Sequence, residues 1–121
     1  MPLFWTIDSK KRWVDLTAAG PVTRDDVSAY LEVVSGAGAL GYRKLFDGRE
    51  GICCMSEEEL VGAGAEVRSY HDRDMGPLAI LLTPEQTQRL ARLLGILASA
   101  RRPMRIFTSP LTARRWLDSL P

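Results

Sequence analysis

Apolar and polar positions alternate at the start of the chain. Leu3, Trp5 and Ile7 are interleaved with Phe4 and Thr6, the two-residue period of a β-strand. The polar run Asp8-Ser9-Lys10-Lys11-Arg12 then reverses the chain, and alternation resumes. Val14, Leu16 and Ala18 fall on one face and Trp13, Asp15 and Thr17 on the other, which predicts an antiparallel hairpin broken off at Gly20-Pro21. The period then lengthens. Thr23 is a suitable N-cap, Asp25 and Asp26 suit the positive first turn, and Val27, Tyr30, Leu31 and Val34 recur at helical spacing up to Gly36. Arg43 to Asp47 reads as a short third strand, followed by a loop from Gly48 to Met55.

Ser56 stands three residues before Glu59, the capping-box spacing, so a second helix starts there. Its stripe of Leu60, Ala63, Gly64 and Val67 is narrow, and Gly62 and Gly64 each cost it about 1 kcal/mol. Pro77 to Leu82 is continuously apolar, as expected of a strand buried on both faces. Thr83-Pro84 opens a third helix lined by Leu90, Leu93, Leu94 and Leu97. Met104 to Phe107 gives a last strand. Ser109-Pro110 repeats the cap-then-proline device, and Trp116, Leu117 and Leu120 close a final helix. The predicted order is β-β-α-β-α-β-α-β-α: an α/β single domain over 1–121, with a five-stranded mixed sheet, an N-terminal antiparallel hairpin and four helices.

Composition fits one ordinary domain of 121 residues, 45% hydrophobic and 26% charged. The net charge of +1 hides an asymmetry. Residues 1–83 carry nine basic and thirteen acidic side chains, a balance of −4, whereas residues 84–121 carry seven arginines against Glu85 and Asp118, a balance of +5. Two cysteines and one histidine leave no metal set, and no cofactor fingerprint is present. Cys53 and Cys54 are adjacent and predicted to be free, buried thiols beside Ile52 and Met55. The expected location is cytoplasmic: the start lacks the pattern of a secretory leader, and no apolar run approaches a membrane span.

The element order resembles the STAS fold, found in anti-sigma factor antagonists and sulfate transporter tails, and within it the small bacterial SpoIIAA-like proteins. The residues that carry the resemblance are Gly20-Pro21-Val22-Thr23 entering the first helix, Lys44-Leu45-Phe46-Asp47, Gly76-Pro77-Leu78-Ala79, and Ala113-Arg114-Arg115-Trp116-Leu117. It implies a regulatory, protein-binding domain, and a serine phosphorylated at the start of the second helix. Ser56 is the corresponding candidate phosphoacceptor, but Met55-Ser56-Glu57-Glu58 lacks the usual preceding Asp and following small residues. A phosphate would meet Glu57, Glu58 and Glu59, so a plain cap is the favoured reading. The resemblance also implies a possible apolar ligand, and the alternative reading is a carrier or sensor holding a small apolar or anionic ligand between the second helix and the sheet.

Enzyme chemistry finds little support. His71 is the one histidine and is better explained by a helix C-terminus, and neither cysteine has the surroundings of a nucleophile. The expectation is therefore no enzyme. The carboxyl ends of the parallel strands, where strand order would reverse, define a candidate rim for a partner or ligand: Asp47, Arg49, Ser56, Thr83 and Ser109. Thr83 and Ser109 are also simple caps, and Asp47 and Arg49 a simple surface pair. Arg101, Arg102, Arg105, Arg114 and Arg115 are the one candidate basic patch, but aromatic residues do not interleave them, so nucleic acid is not expected. Phe4, Trp5 and Trp13 on the hairpin call for a covering helix or a second subunit, and a homodimer is expected.

Overall fold

The computed structural model describes residues 2–70, 75–91, 94–95 and 103–121. The predicted hairpin consists of β1 (Leu3–Asp8) and β2 (Trp13–Val22), in register from Leu3↔Ala18 to Asp8↔Trp13. Helix α1 (Arg24–Gly36) follows, then β3 (Arg43–Cys53), α2 (Glu57–Ser69), β4 (Leu78–Leu81), α3 (Pro84–Arg89), β5 (Met104–Phe107) and α4 (Pro110–Ser119). The five strands lie side by side in the order β1-β2-β3-β4-β5, with β1–β2 antiparallel and the others parallel.

The alternation along β2 sorts the two faces. Val14, Leu16 and Ala18 pack with Leu3 from β1 and with Tyr30, Leu31 and Val34 of α1. Ile80 and Leu82 extend the same face to Leu94, joined by Phe46, Leu90, Met104 and Ile106. On the other face Leu45, Ala79 and Leu81 meet Ala113 and Leu117 of α4, flanked by Trp13, Phe107 and Trp116. The continuously apolar β4 is thus apolar because it is covered on both sides. Leu93, Leu97 and His71 lie outside the described residues.

Among the described residues, three of the four helices start with a reciprocal pair, which the sequence predicts in full only at Ser56 and as a simple cap at Thr23 and Thr83. Thr23 accepts from Asp26 N, Ser56 from Glu59 N and Thr83 from Gln86 N, and each third residue returns a side-chain oxygen to the cap N–H. Ser109 departs from expectation. It occupies the N-cap position of α4, but its side chain makes no cap hydrogen bond; its carbonyl accepts from Thr112 Oγ1 at 3.0 Å instead.

Two strands run further than their patterns suggest. β2 continues through Gly20-Pro21 to Val22, because β1 ends beside Ala18–Ala19 and leaves that side of β2 open. A proline is tolerated there, since no neighbour needs its N–H, and Gly20 supplies a φ of +86°. β3 continues from Asp47 to Cys53, so the expected loop over Gly48–Met55 is largely strand. Its second half pairs Glu50–Cys53 with Ala19–Val22 of β2 after a register shift between Thr17 and Ala19. Glycine makes this possible: a Cβ on Gly51 would sit 2.8 Å from Ala18 Cβ, and one on Gly48 would sit 2.9 Å from the Phe46 ring. Cys53 and Cys54 end this exposed extension, so both thiols are free and exposed rather than buried.

Helix α2 packs beside α1. Ala63 and Gly64 are buried, the Arg24 guanidinium lies against Gly62, and Ser28 Oγ donates to Glu66 Oε1 at 2.8 Å. On the predicted stripe, Ala63 and Gly64 are buried and Val67 packs against the core cluster that holds Tyr30, Leu31 and Val34.

Candidate functional site

Parallel pairing brings three strand ends level. Asp47 is in register with Leu81, and Leu81 with Phe107, so Thr83 and Ser109 each follow two residues past one shared line. Ser56 is carried away from it. The extension of β3 runs beside Thr17 to Val22 of β2, about 16 Å at the ordinary strand rise. Of the five rim residues, then, Asp47, Arg49, Thr83 and Ser109 gather at the ends of β3–β5, and Ser56 starts a helix beyond them. Strand order increases steadily from β1 to β5, so the sheet has no point at which the order reverses. The rim is a surface of loops and caps rather than a switch-point crevice.

Asp47 and Arg49 form a rigid clasp across the irregularity in β3. Arg49 Nε donates to Asp47 Oδ1 at 3.0 Å, its terminal amino group to Oδ2 at 2.8 Å, and its backbone N–H to Oδ1 at 3.2 Å. The Arg49 side-chain hydrogen bond holds the Asp47 carboxyl below its ordinary value, against the opposing effect of partial burial and with help from the backbone N–H. Both side chains remain accessible, 29% for Asp47 and 38% for Arg49.

The sequence reading missed Gln86, which fixes this clasp to the rest of the rim. Its side-chain oxygen accepts from Thr83 N at 2.9 Å. Its amide nitrogen donates to Gly48 O at 2.8 Å, and to Arg49 O and Gly51 O at 3.3 Å each. One side chain thus caps α3 and ties three carbonyls of the β3 irregularity. The Thr83-x-x-Gln86 spacing signals the cap; the carbonyls are 35 to 38 residues away in sequence, and no local pattern signals them.

Two of the candidate hydroxyls act as helix caps. Thr83 Oγ1 accepts from Gln86 N at 3.1 Å, and Ser56 Oγ from Glu59 N at 3.1 Å, beside Glu57 and Glu58 in the first turn. Among the described residues no three His, Cys, Asp or Glu side chains could hold a metal ion. The rim is a fixed pattern of charge, amide and hydroxyl groups held on packed elements.

On the opposite face from α2, a cleft of about 610 Å³ opens between the hairpin turn and α4. Its lining includes Lys10, Lys11, Trp13, Asp15, Arg114 and Asp118. Arg114 lies 5.5 Å above the Trp13 ring, and Asp15 Oδ1 accepts from both, at 3.3 and 3.1 Å. Arg105 likewise lies 5.8 Å from the Phe107 ring, so these two arginines of the basic half rest on the chain's own aromatic faces. Arg101 and Arg102 lie outside the described residues. Of the hairpin aromatics, Trp5 is held edge-on by Tyr30 of α1 at 5.6 Å and Trp13 is covered by Arg114, while Phe4 is 55% exposed. Among the described residues no helix is long and apolar enough to cross a membrane.

No family model matches the sequence, and no curated protein matches it. Solved structures do. An uncharacterised protein of the DUF3478 family with a SpoIIAA-like fold, from Shewanella loihica PV-4, superposes with a TM-score of 0.67 at 16% identity, covering 95% of this chain and 91% of that one. The anti-sigma factor antagonist SpoIIAA in its unphosphorylated form superposes with a TM-score of 0.62 at 13% identity, covering 98% of this chain and 99% of that one. From end to end, therefore, the chain has the SpoIIAA-like, STAS-type fold that its element order resembles.

Proposed function

We propose that this chain is a non-enzymatic regulatory domain that binds another protein in the bacterial cytoplasm, using the rim at the ends of β3–β5. The observation that carries the reading is the clasp tied by Gln86. Arg49 and Asp47 are held by three hydrogen bonds between them and their strand is fastened to α3, yet both side chains face solvent. Surface charges gain little from pairing alone. Pre-ordered ones lose little freedom on binding, which favours recognition. The fold shared with an anti-sigma factor antagonist supports the same reading. Thr83 and Ser109 border the contact. Ser56 serves as a helix cap outside it, and no phosphate cycle is assigned to it.

The test is affinity capture from the native cell with wild-type protein and an Arg49→Glu variant. A stoichiometric protein retained by the wild type and lost by the variant is the expected result. Capture of nothing stoichiometric by the wild type, or equal capture by both, overturns the proposal. A ligand beneath α2 gains no support from the packing, because Ala63 and Gly64 of its stripe are buried and Val67 packs against the core there.

A further inference from the structure

The first strand presents an open edge, and its geometry points to a specific occupant. In an antiparallel pair, residues alternate between directing both backbone groups at the neighbour and directing both away. Ala19 N donates to Pro2 O, so Pro2, Phe4, Thr6 and Asp8 face β2, and Leu3, Trp5 and Ile7 turn their N–H and C=O groups outward. Among the described residues these outward groups make no backbone hydrogen bond.

Nothing along Leu3–Ile7 blunts this edge: it contains no lysine, no proline and no bulge. Natural sheets protect free edges with such devices. The opposite edge has them. β5 is only four residues long and carries exposed Arg105.

We infer that β1 pairs with β1 of a second copy of this chain, antiparallel about a two-fold axis through Trp5, joining two five-stranded sheets into one. Three constraints select this occupant and this register. A two-fold axis perpendicular to the sheet keeps α1 faces on the same side, so paired residue numbers must sum to an even number. Centring on Trp5 sets Leu3 against Ile7, Trp5 against Trp5 and Ile7 against Leu3, so every outward residue meets an outward residue and exchanges both hydrogen bonds. Centring one residue later would match only Trp5 with Ile7. The chosen register also sets Phe4, 55% exposed, against Thr6 of the second copy, with the two Phe4 rings diagonal and within reach of each other. Pro2 faces Asp8, and no like charges oppose.

α4 packs over β3–β5 and Trp13, which leaves the Phe4 and Thr6 face clear at this edge. The pairing is separate from the rim at the ends of β3–β5 and does not depend on it.

The test uses the full chain in sedimentation equilibrium with amide hydrogen exchange. The wild type is expected at twice the 13.4 kDa chain mass, with Leu3, Trp5 and Ile7 amides protected. Phe4→Lys/Thr6→Lys and Phe4→Glu/Thr6→Glu each place like charges opposite one another twice, and each is expected to raise the dimer dissociation constant about tenfold or more. Mixed in equal amounts, the two variants should restore a dimer of one copy of each. A wild type that stays at 13.4 kDa up to millimolar concentration overturns the inference, as do variants that dimerise as tightly as the wild type or a mixture that stays monomeric. The exchange pattern stands even if the variants fold poorly. Wild-type dimer in which the Leu3, Trp5 and Ile7 amides exchange freely would place the interface elsewhere.

Discussion

Gln86→Ala removes one half-exposed side chain, and the structure predicts a cost out of proportion to its position. Two losses add. The reciprocal cap of α3 loses the acceptor for Thr83 N, and caps are worth about 1 kcal/mol. The amide donor also disappears from Gly48 O, which belongs to a buried residue, and from the longer contacts to Arg49 O and Gly51 O. A buried carbonyl left without its donor costs about 1–3 kcal/mol. The expected destabilisation is therefore about 2–4 kcal/mol, a large share of the ~5–15 kcal/mol that holds a domain together. Thr83→Ala is the control, since it removes the other half of the cap and none of the β3 contacts; about 1 kcal/mol is expected. Urea unfolding followed by circular dichroism measures both, with an unchanged denaturant slope as the check that only stability has moved. A Gln86→Ala variant no less stable than Thr83→Ala would show that the link to β3 contributes nothing, and the account of a fastened rim would fall with it.

Two further outcomes follow from the packing and the clasp. Leu117 is fully buried between α4 and the sheet, so Leu117→Ala should cost about 2–5 kcal/mol in the same urea experiment; a loss below 1 kcal/mol, roughly, would mean that α4 is not seated on β3–β5. Asp47 is held below its ordinary value, so its contribution is complete above the unfolded carboxylate value of about 3.9 and is lost as pH falls through the lower folded value. Asp47→Asn should therefore remove part of the acid-side loss of stability seen by thermal unfolding between pH 5 and pH 2, roughly; an unchanged pH profile would contradict the clasp.

Much of the architecture was legible because it is local. The alternation of Val14, Leu16 and Ala18, the stripe of α1, the capping spacings at Thr23 and Ser56 and the apolar run of β4 each report burial within a few residues of themselves. The second half of β3 was not legible. Gly48-Arg49-Glu50-Gly51 carries turn-forming residue types, and it is a strand only because β2 outruns β1 and offers a free partner edge. Pro21 misleads for the same reason, since a proline ends a strand only where a neighbour needs its N–H. Once β3 is long, Cys53 and Cys54 follow it into solvent and Ser56 leaves the rim. Gln86 was half legible: its spacing from Thr83 marks a cap, whereas its hold on Gly48, Arg49 and Gly51 depends on how β3 and β4 lie together. Asp47 and Arg49 could be picked out as residues that no cap requires, but their mutual geometry needed the fold.

The central claim is that the clasp surface is where a partner binds, and site-specific photo-crosslinking in the native cell tests it most directly. A photoreactive residue is placed at Arg49, and at Lys10 in the hairpin turn as the remote control. The account predicts one discrete crosslinked partner protein from position 49 and, a second copy of this chain aside, none from position 10. Crosslinking of another protein from position 10 alone, from both positions equally, or from neither would contradict it.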